Sequence, residues 1–281
     1  NAPEKARESG TPTRYAASAL LSDVYLTLKK YDEAATEAAK VINSNKYALT
    51  KVATARDFDK VFGPDAASSE EVFYMKNENS TGNDGWPYVM ICAHPKAMVN
   101  GLHMLSTGIG WYGVYTTTDN EFIKNWDERD LRKEFNLLPF NFGLGNKTYL
   151  FCKYYDPNAL GKNGAGNDWP VIRYPDVLLN YAEAVARKAG GATGDALEKL
   201  NTIRRRAYGL EPTAPSAMDY TMSDCPTLES FISLLVKEEG YECMNEAKRC
   251  SLAADSAVQG QGGEGQAHDM AHPCNRIQLQ L

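Results

Sequence analysis

The stretch DWPVIRYPDVLLNYAEAVARKAGG, residues 168–191, decides the fold. Its first part reads as an extended segment ending at Arg173-Tyr174. From Asp176 the pattern changes to an amphipathic helix with Val177, Leu178, Tyr181, Ala182 and Val185 on one stripe. Glu183 is expected to pair with a nearby base. Arg173 is expected to pair with a carboxylate or helix end close to the helix start, a structural role. Trp169 sits in the Gly-Asn loop GKNGAGNDWP, residues 161–170, exposed enough to touch a ligand.

Working outward, TGDALEKLNTIRRRAYGL (193–210) supplies a second helix with Asp195 near its start and Ala196, Leu197, Leu200, Ile203 and Ala207 inward. The pair has an earlier counterpart in TRYAASALLSDVYLTLKKYDEAATEAAKVINSNKY, residues 13–47. There Ala17, Leu20, Leu21, Val24, Tyr25 and Leu28 form the first stripe. Asp32 is expected to cap the second helix, which carries Ala34, Ala35, Ala38, Val41 and Ile42. A Tyr on the first helix and a small Ala on the second match the interior of a tetratricopeptide repeat, because small residues let two helices approach closely. The later pair has a longer turn, consistent with Gly190, Gly191 and Gly194. A further helix, TLESFISLLVKEEGYECMNEAKR (227–249), carries Leu228, Phe231, Ile232 and Leu235 opposite a Glu-rich polar face.

Between the pairs, residues 77–170 are rich in Asn, Gly, Tyr and Trp, and helical periodicity is mostly absent. NENSTGNDGWPYVM (77–90) has loop chemistry. STGIGWYGVYTTTDNEFIKNWDERDLR (106–132) passes from a Gly-aromatic loop into a short helix from Asp119. KTYLFCKYYDP (147–157) alternates as a strand, with WPVIRYP (169–175) as its expected partner. The predicted fold is mainly α: a helical superstructure with tetratricopeptide-like pairs at 14–44 and 174–208, a loop-rich insertion with a few short strands, and a helix at 227–249. Residues 1–13 form a flexible start. From Cys250 to Leu281 periodicity stops abruptly, and this tail is expected to be a frameshifted reading outside the folded domain of 14–249.

Composition narrows the function. With 281 residues, 43% hydrophobic and 23% charged, the chain is of ordinary globular make-up and long enough for a substantial core. A formal net charge of -6 argues against nucleic acid as partner. The 6 cysteines form no C-x-x-C pair and read as scattered reduced thiols. Neither a membrane-spanning run nor a signal peptide is visible, and a start at Asn rather than Met suggests a piece of something longer. Tyr and Trp number 16 and 4 against 9 Phe, and these rings join a flat apolar face to a polar edge.

The ordered motifs WPVIRYPDVLLNYAEA, DALEKLNTIRRRAYG and LLVKEEGYECMNEAKR resemble the closing half of a SusD/RagB protein. The earlier helix pair resembles that family's internal repeats, and NEFIKNWDERDLR resembles its segment ending in an acidic residue and Asp-x-Arg. The resemblance covers roughly residues 11–249. It implies a surface glycan-binding lipoprotein of the bacterial outer membrane that delivers sugar to a SusC-like TonB-dependent outer-membrane transporter. The family's N-terminal portion, with its lipidation cysteine, is not in this sequence, so membrane attachment is implied by the family alone. After Glu246 the sequence departs from the family pattern, with Ala247-Lys248-Arg249 and then the anomalous tail.

Sugar recognition needs aromatic faces against pyranose C–H groups and polar groups for the hydroxyls. The leading cluster is Trp111, Tyr112 and Tyr115, with Gly108, Gly110 and Gly113 beside them. Trp86 and Tyr88 with Asn83 and Asp84 form the second, Trp169 is a third candidate, and Asn163 and Asn167 are within reach of hydroxyls. Trp126, in a charge-rich helical segment, reads as packing. The alternatives are a tetratricopeptide-type protein-interaction module without sugar binding and, less favoured, a glycoside hydrolase. Asp127, Glu128 and Asp130 would be the hydrolase carboxylates. With Arg129 and Arg132, however, the two Asp look like a salt-bridged helix face. His94 and His103 accompany no G-x-S-x-G elbow. His268, His272 and Cys274 have ligand-like spacing but fall in the tail. The reading is therefore non-catalytic, with no cofactor and no metal.

Overall fold

A computed structural model describes residues 2–64, 66–78, 115–117, 119–139, 148–156, 165–246 and 248. Helices dominate it. Helix α1 (Arg14–Thr27) starts where the Thr13 hydroxyl accepts the Ala16 N–H, and packs antiparallel on α2 (Tyr31–Ile42). A 3-10 turn (Ala55–Phe58) and the single-turn α3 (Asp59–Phe62) lead to strand β1 (Glu71–Met75). Strand β2 (Tyr115–Thr117), α4 (Glu121–Lys124), α5 (Leu131–Asn136), β3 (Leu137–Pro139) and β4 (Thr148–Phe151) follow.

The deciding stretch then forms β5 (Trp169–Arg173) and turns directly into α6 (Tyr174–Ala189). Pro175 lies in the first turn, where a missing N–H costs nothing. Gly190 ends the helix at φ 72, a left-handed cap suited to glycine. Helix α7 (Gly194–Ala207) begins under a Thr193 cap and α8 (Leu228–Glu242) under a Thr227 cap. α1 packs on α2, α2 on α6, α6 on α7, and α8 closes over α6 and α7. Leu178, Leu179 and Ala182 of α6 meet Leu200 and Ile203 of α7 and Phe231 and Leu235 of α8 in one buried cluster.

Several expectations need correction. The large apolar residues assigned to the interior of α1 lie outside: Leu20, Leu21, Val24 and Leu28 are 41%, 42%, 49% and 58% exposed, and Ala17 is exposed as well. The buried face is Tyr15, Ala16, Ala19, Ser22 and Leu26, with Tyr25 only partly covered. The reason is steric. α1 and α2 approach through Ala16, Ala19, Ala34 and Ala38, closely enough for the Ser22 hydroxyl to donate to the Ala34 carbonyl at 2.9 Å. α1 thus has apolar residues on both faces, the pattern of a helix covered on both sides.

Asp32 does not cap α2. The cap is Lys30, and Asp32 sits in the first turn, where a carboxylate favours the positive end of the helix dipole. The Glu-rich face of α8 is partly interior, with Glu238 and Glu242 buried. The strand pairing also differs. β5 pairs antiparallel with β1, Glu71 opposite Arg173 and Met75 opposite Trp169, whereas β4 lies between β2 and β3. The helix after Asp119 is a single turn capped by the Asn120 side chain, which accepts the Phe122 N–H.

Candidate functional site

β5 ends at Arg173, whose guanidinium is fully buried and ringed by carboxylates. It reaches Glu70 at 3.1 Å, Glu242 at 2.8 Å and Glu246 at 2.6 Å, while its backbone N–H donates to Asp176. Arg206 of α7 shares Glu70, at 2.7 Å, and Glu242. Arg132 of α5 binds Asp130 at 2.6 Å, Glu238 at 2.8 Å and Glu242 at 3.3 Å. Lys153, just after β4, donates to Glu246 and to the carbonyls of Glu242 and Met244. Burial alone would raise the Glu242 carboxyl, but the guanidiniums of Arg206, Arg173 and Arg132 hold it well below the usual carboxylate range.

This ionic core ties β5, α5, α7 and α8 together. The structural role expected for Arg173 is observed, with three carboxylates rather than one. Sequence reasoning missed the network because its members are spread from Glu70 to Glu246. The visible hint was Arg204, Arg205 and Arg206 in succession on an amphipathic helix, with glutamates on a second one.

The carboxylates considered for hydrolysis divide between two environments. Asp127 takes hydrogen bonds from the exposed Arg129, which pull its carboxyl well down, and one from the Tyr208 hydroxyl. Asp130 caps α5 and is buried against Arg132. The single salt-bridged helix face is therefore corrected to an exposed turn and a buried network. Glu128 accepts the Lys133 ammonium at 2.6 Å.

Trp126 packs as expected: it is buried, with its ring stacked on Tyr241 at 4.4 Å between centroids. Glu183 accepts from Arg187 at 2.6 Å, and the thiols of Cys152, Cys225 and Cys243 are free. Trp169 is not the exposed loop residue expected. It opens β5, is half-buried, and stacks on Tyr154 with ring centroids 5.5 Å apart. Asn167 is also corrected: it is buried, and its amide donates to the Phe62 carbonyl at 2.7 Å.

Trp86, Tyr88, Asn83, Asp84, Trp111, Tyr112 and Asn163 lie outside the described residues, as do His94, His103 and the segment 249–281 with His268, His272 and Cys274. Tyr115 is placed by its backbone, opposite Leu150 in the β2–β4 ladder.

A cleft opens where the insertion leaves the scaffold. It has a volume of about 670 Å³ and is lined by Ser9, Ala66, Ala67, Lys76, Asn77, Glu78 and Asp168. Lys76 bridges Glu71 and Asp168, both at 2.7 Å. Burial draws its ammonium down, but hydrogen bonds to Asp168 and Glu71 more than offset this, and the balance is upward. The Asn77 backbone N–H donates to Asp168, and its side-chain amide donates to the Asn167 carbonyl at 3.0 Å. No group of three or more His, Cys, Asp or Glu among the described residues could hold a metal ion. No described helix is long and apolar enough to cross a membrane.

A helical stack with an ionic base and short two- and three-stranded sheets defines a class of scaffold, and comparison with known proteins places it. The sequence profile of the SusD family matches residues 64–251, and the chain belongs to that family. SusD-like protein P2 of Formosa agariphila is 28% identical over 265 residues, which cover 85% of this chain and 49% of that protein. The structure of a SusD homolog from Bacteroides thetaiotaomicron superposes with a TM-score of 0.66 at 21% identity, covering 92% of this chain and 59% of the other. Surface glycan-binding protein A from the same organism, in complex with laminarihexaose, gives a TM-score of 0.66 at 20% identity, covering 90% and 56%. The chain thus spans about half the length of the relatives it matches.

Proposed function

We propose that this protein binds polysaccharide or oligosaccharide without cleaving it, at the bacterial cell surface, and hands it to a SusC-like TonB-dependent outer-membrane transporter. Membership of the SusD family carries the reading. The laminarihexaose-bound relative shares the scaffold and so supports the ligand class. Outer-membrane location, a lipid anchor and the transporter partner come with the family. Trp111, Tyr112 and Tyr115 are the proposed platform, with Trp86, Tyr88 and Asn83 assisting. Trp169 is withdrawn to a supporting place, because one face of its ring already stacks on Tyr154. The carboxylates once considered for hydrolysis are engaged by Arg129, Arg132 and Lys133, which favours binding over catalysis. Affinity electrophoresis in gels containing different polysaccharides tests the reading: retardation by at least one glycan without release of reducing sugar is expected.

A protein-interaction role without sugar is the second reading. The exposed stripe of Leu20, Leu21, Val24 and Leu28 on α1 is the observation in its favour. Retention of a partner protein by a chain that ignores every glycan would select it.

A further inference from the structure

The cleft at the root of the insertion has a chemical bias that bears on the kind of glycan bound. Its lining cation among the described residues, Lys76, is spent internally between Glu71 and Asp168. The remaining polar groups among the described lining residues are chiefly acceptors. The Asp168 carboxylate takes the Lys76 ammonium and the Asn77 N–H, two of the roughly four hydrogen bonds a carboxylate can accept. Asn77 commits its amide N–H to backbone carbonyls, leaving its side-chain oxygen as an acceptor. Glu78 and Ser9 are exposed on the rim. The cleft is thus rich in carboxylate and amide oxygen, and its cation is already neutralised. A uronate or sulfate would meet like charge there, with no guanidinium or ammonium among the described lining residues left over to pair with it. A neutral pyranose presents hydroxyl donors, which is what such acceptors lack.

We infer that this cleft is a saccharide subsite selecting uncharged, hydroxyl-presenting glycans over acidic ones, through Asn77, Glu78 and Asp168. The inference rests on the glycan-binding function proposed above and adds to it a ligand class and polar residues other than those of the aromatic platform.

The test uses the full chain in affinity gels containing a neutral β-glucan, a neutral galactomannan or polygalacturonate, followed by calorimetry on the glycan that retards it. Retardation by a neutral polymer and not by polygalacturonate is expected. Asn77→Ala, which loses one hydrogen bond, and Glu78→Gln, which replaces a charged acceptor by a neutral one, should each weaken that binding about fivefold, with unchanged circular dichroism. Glu78→Lys, at an exposed position that leaves the fold intact, should introduce measurable polygalacturonate binding. Equal or stronger retention of polygalacturonate by the parent would overturn the selectivity while leaving glycan binding in place. Parental affinity of both Asn77→Ala and Glu78→Gln for the neutral glycan would remove the cleft from the binding site. Failure of all three polymers to retard the parent would count against the glycan function itself, and the inference would fall with it.

Discussion

Glu239 of α8 offers a sharp test of how the helices are packed. Although the residue as a whole is only partly buried, its Oε2 is shut from solvent with no hydrogen-bond partner. Burial raises its carboxyl most. Glu183 and Asp176 of α6 and Asp23 of α1 add to the rise, and Lys248 opposes them. Together these push the titration from the ordinary 4.5 up to about 8. The sign follows from linkage. The folded carboxyl holds its proton more tightly than the unfolded one, so its contribution is fully present below about pH 4.5, drains as pH rises, and is gone above about pH 8. At 1.36 kcal/mol per pH unit the ceiling is roughly 5 kcal/mol. Relaxation around a partly buried group lowers this, and we expect about 2 kcal/mol. Glu239→Gln keeps the shape of the protonated acid and cannot ionise. Its thermal midpoint should match the parent at pH 4 and exceed it by about 4–8 °C at pH 9. Parallel midpoint curves for the two proteins from pH 4 to 9 would refute the buried, unpaired placement of Glu239.

Further outcomes follow from the same packing. Arg173→Met removes the cation shared by Glu70, Glu242 and Glu246 and should cost about 3–5 kcal/mol in urea unfolding, since it leaves buried carboxylates uncompensated. Trp126→Ala vacates the place stacked on Tyr241 and should cost about 3–5 kcal/mol by the same measurement. On α1, Ala19→Asp should unfold the α1–α2 contact, whereas Leu21→Gln on the exposed face should stay within about 0.5 kcal/mol of the parent. A reversed order in thermal melts would restore the face first read from the sequence.

The helical architecture was legible because helices announce themselves by period. The inward stripe of α7, Ala196 to Ala207, reads correctly since polar residues occupy its other side. α1 misled because it is apolar on both faces, and size pointed to Leu where close approach demanded Ala and Ser. The β1–β5 pairing was hidden because Glu71 and Arg173 lie far apart in sequence, and short strands carry little pattern. The ionic core was invisible for a similar reason: a glutamate on a helix reads as solvated until its arginine partners arrive from three other elements. Trp169 was misplaced because the Gly-Asn run before it suggested a loop, while the strand and the Tyr154 ring take it inward.

The central claim is non-catalytic glycan binding through the insertion's aromatics, and calorimetry on the parent and the Trp86→Ala/Trp111→Ala double variant tests it most directly. With the glycan that retards the parent in gels, the account predicts modest parental affinity and sugar recovered at its original length. It also predicts a loss of about tenfold or more in the folded double variant, from roughly 1 kcal/mol per stacked ring. Shortened sugar, or parental affinity in the double variant, would contradict it.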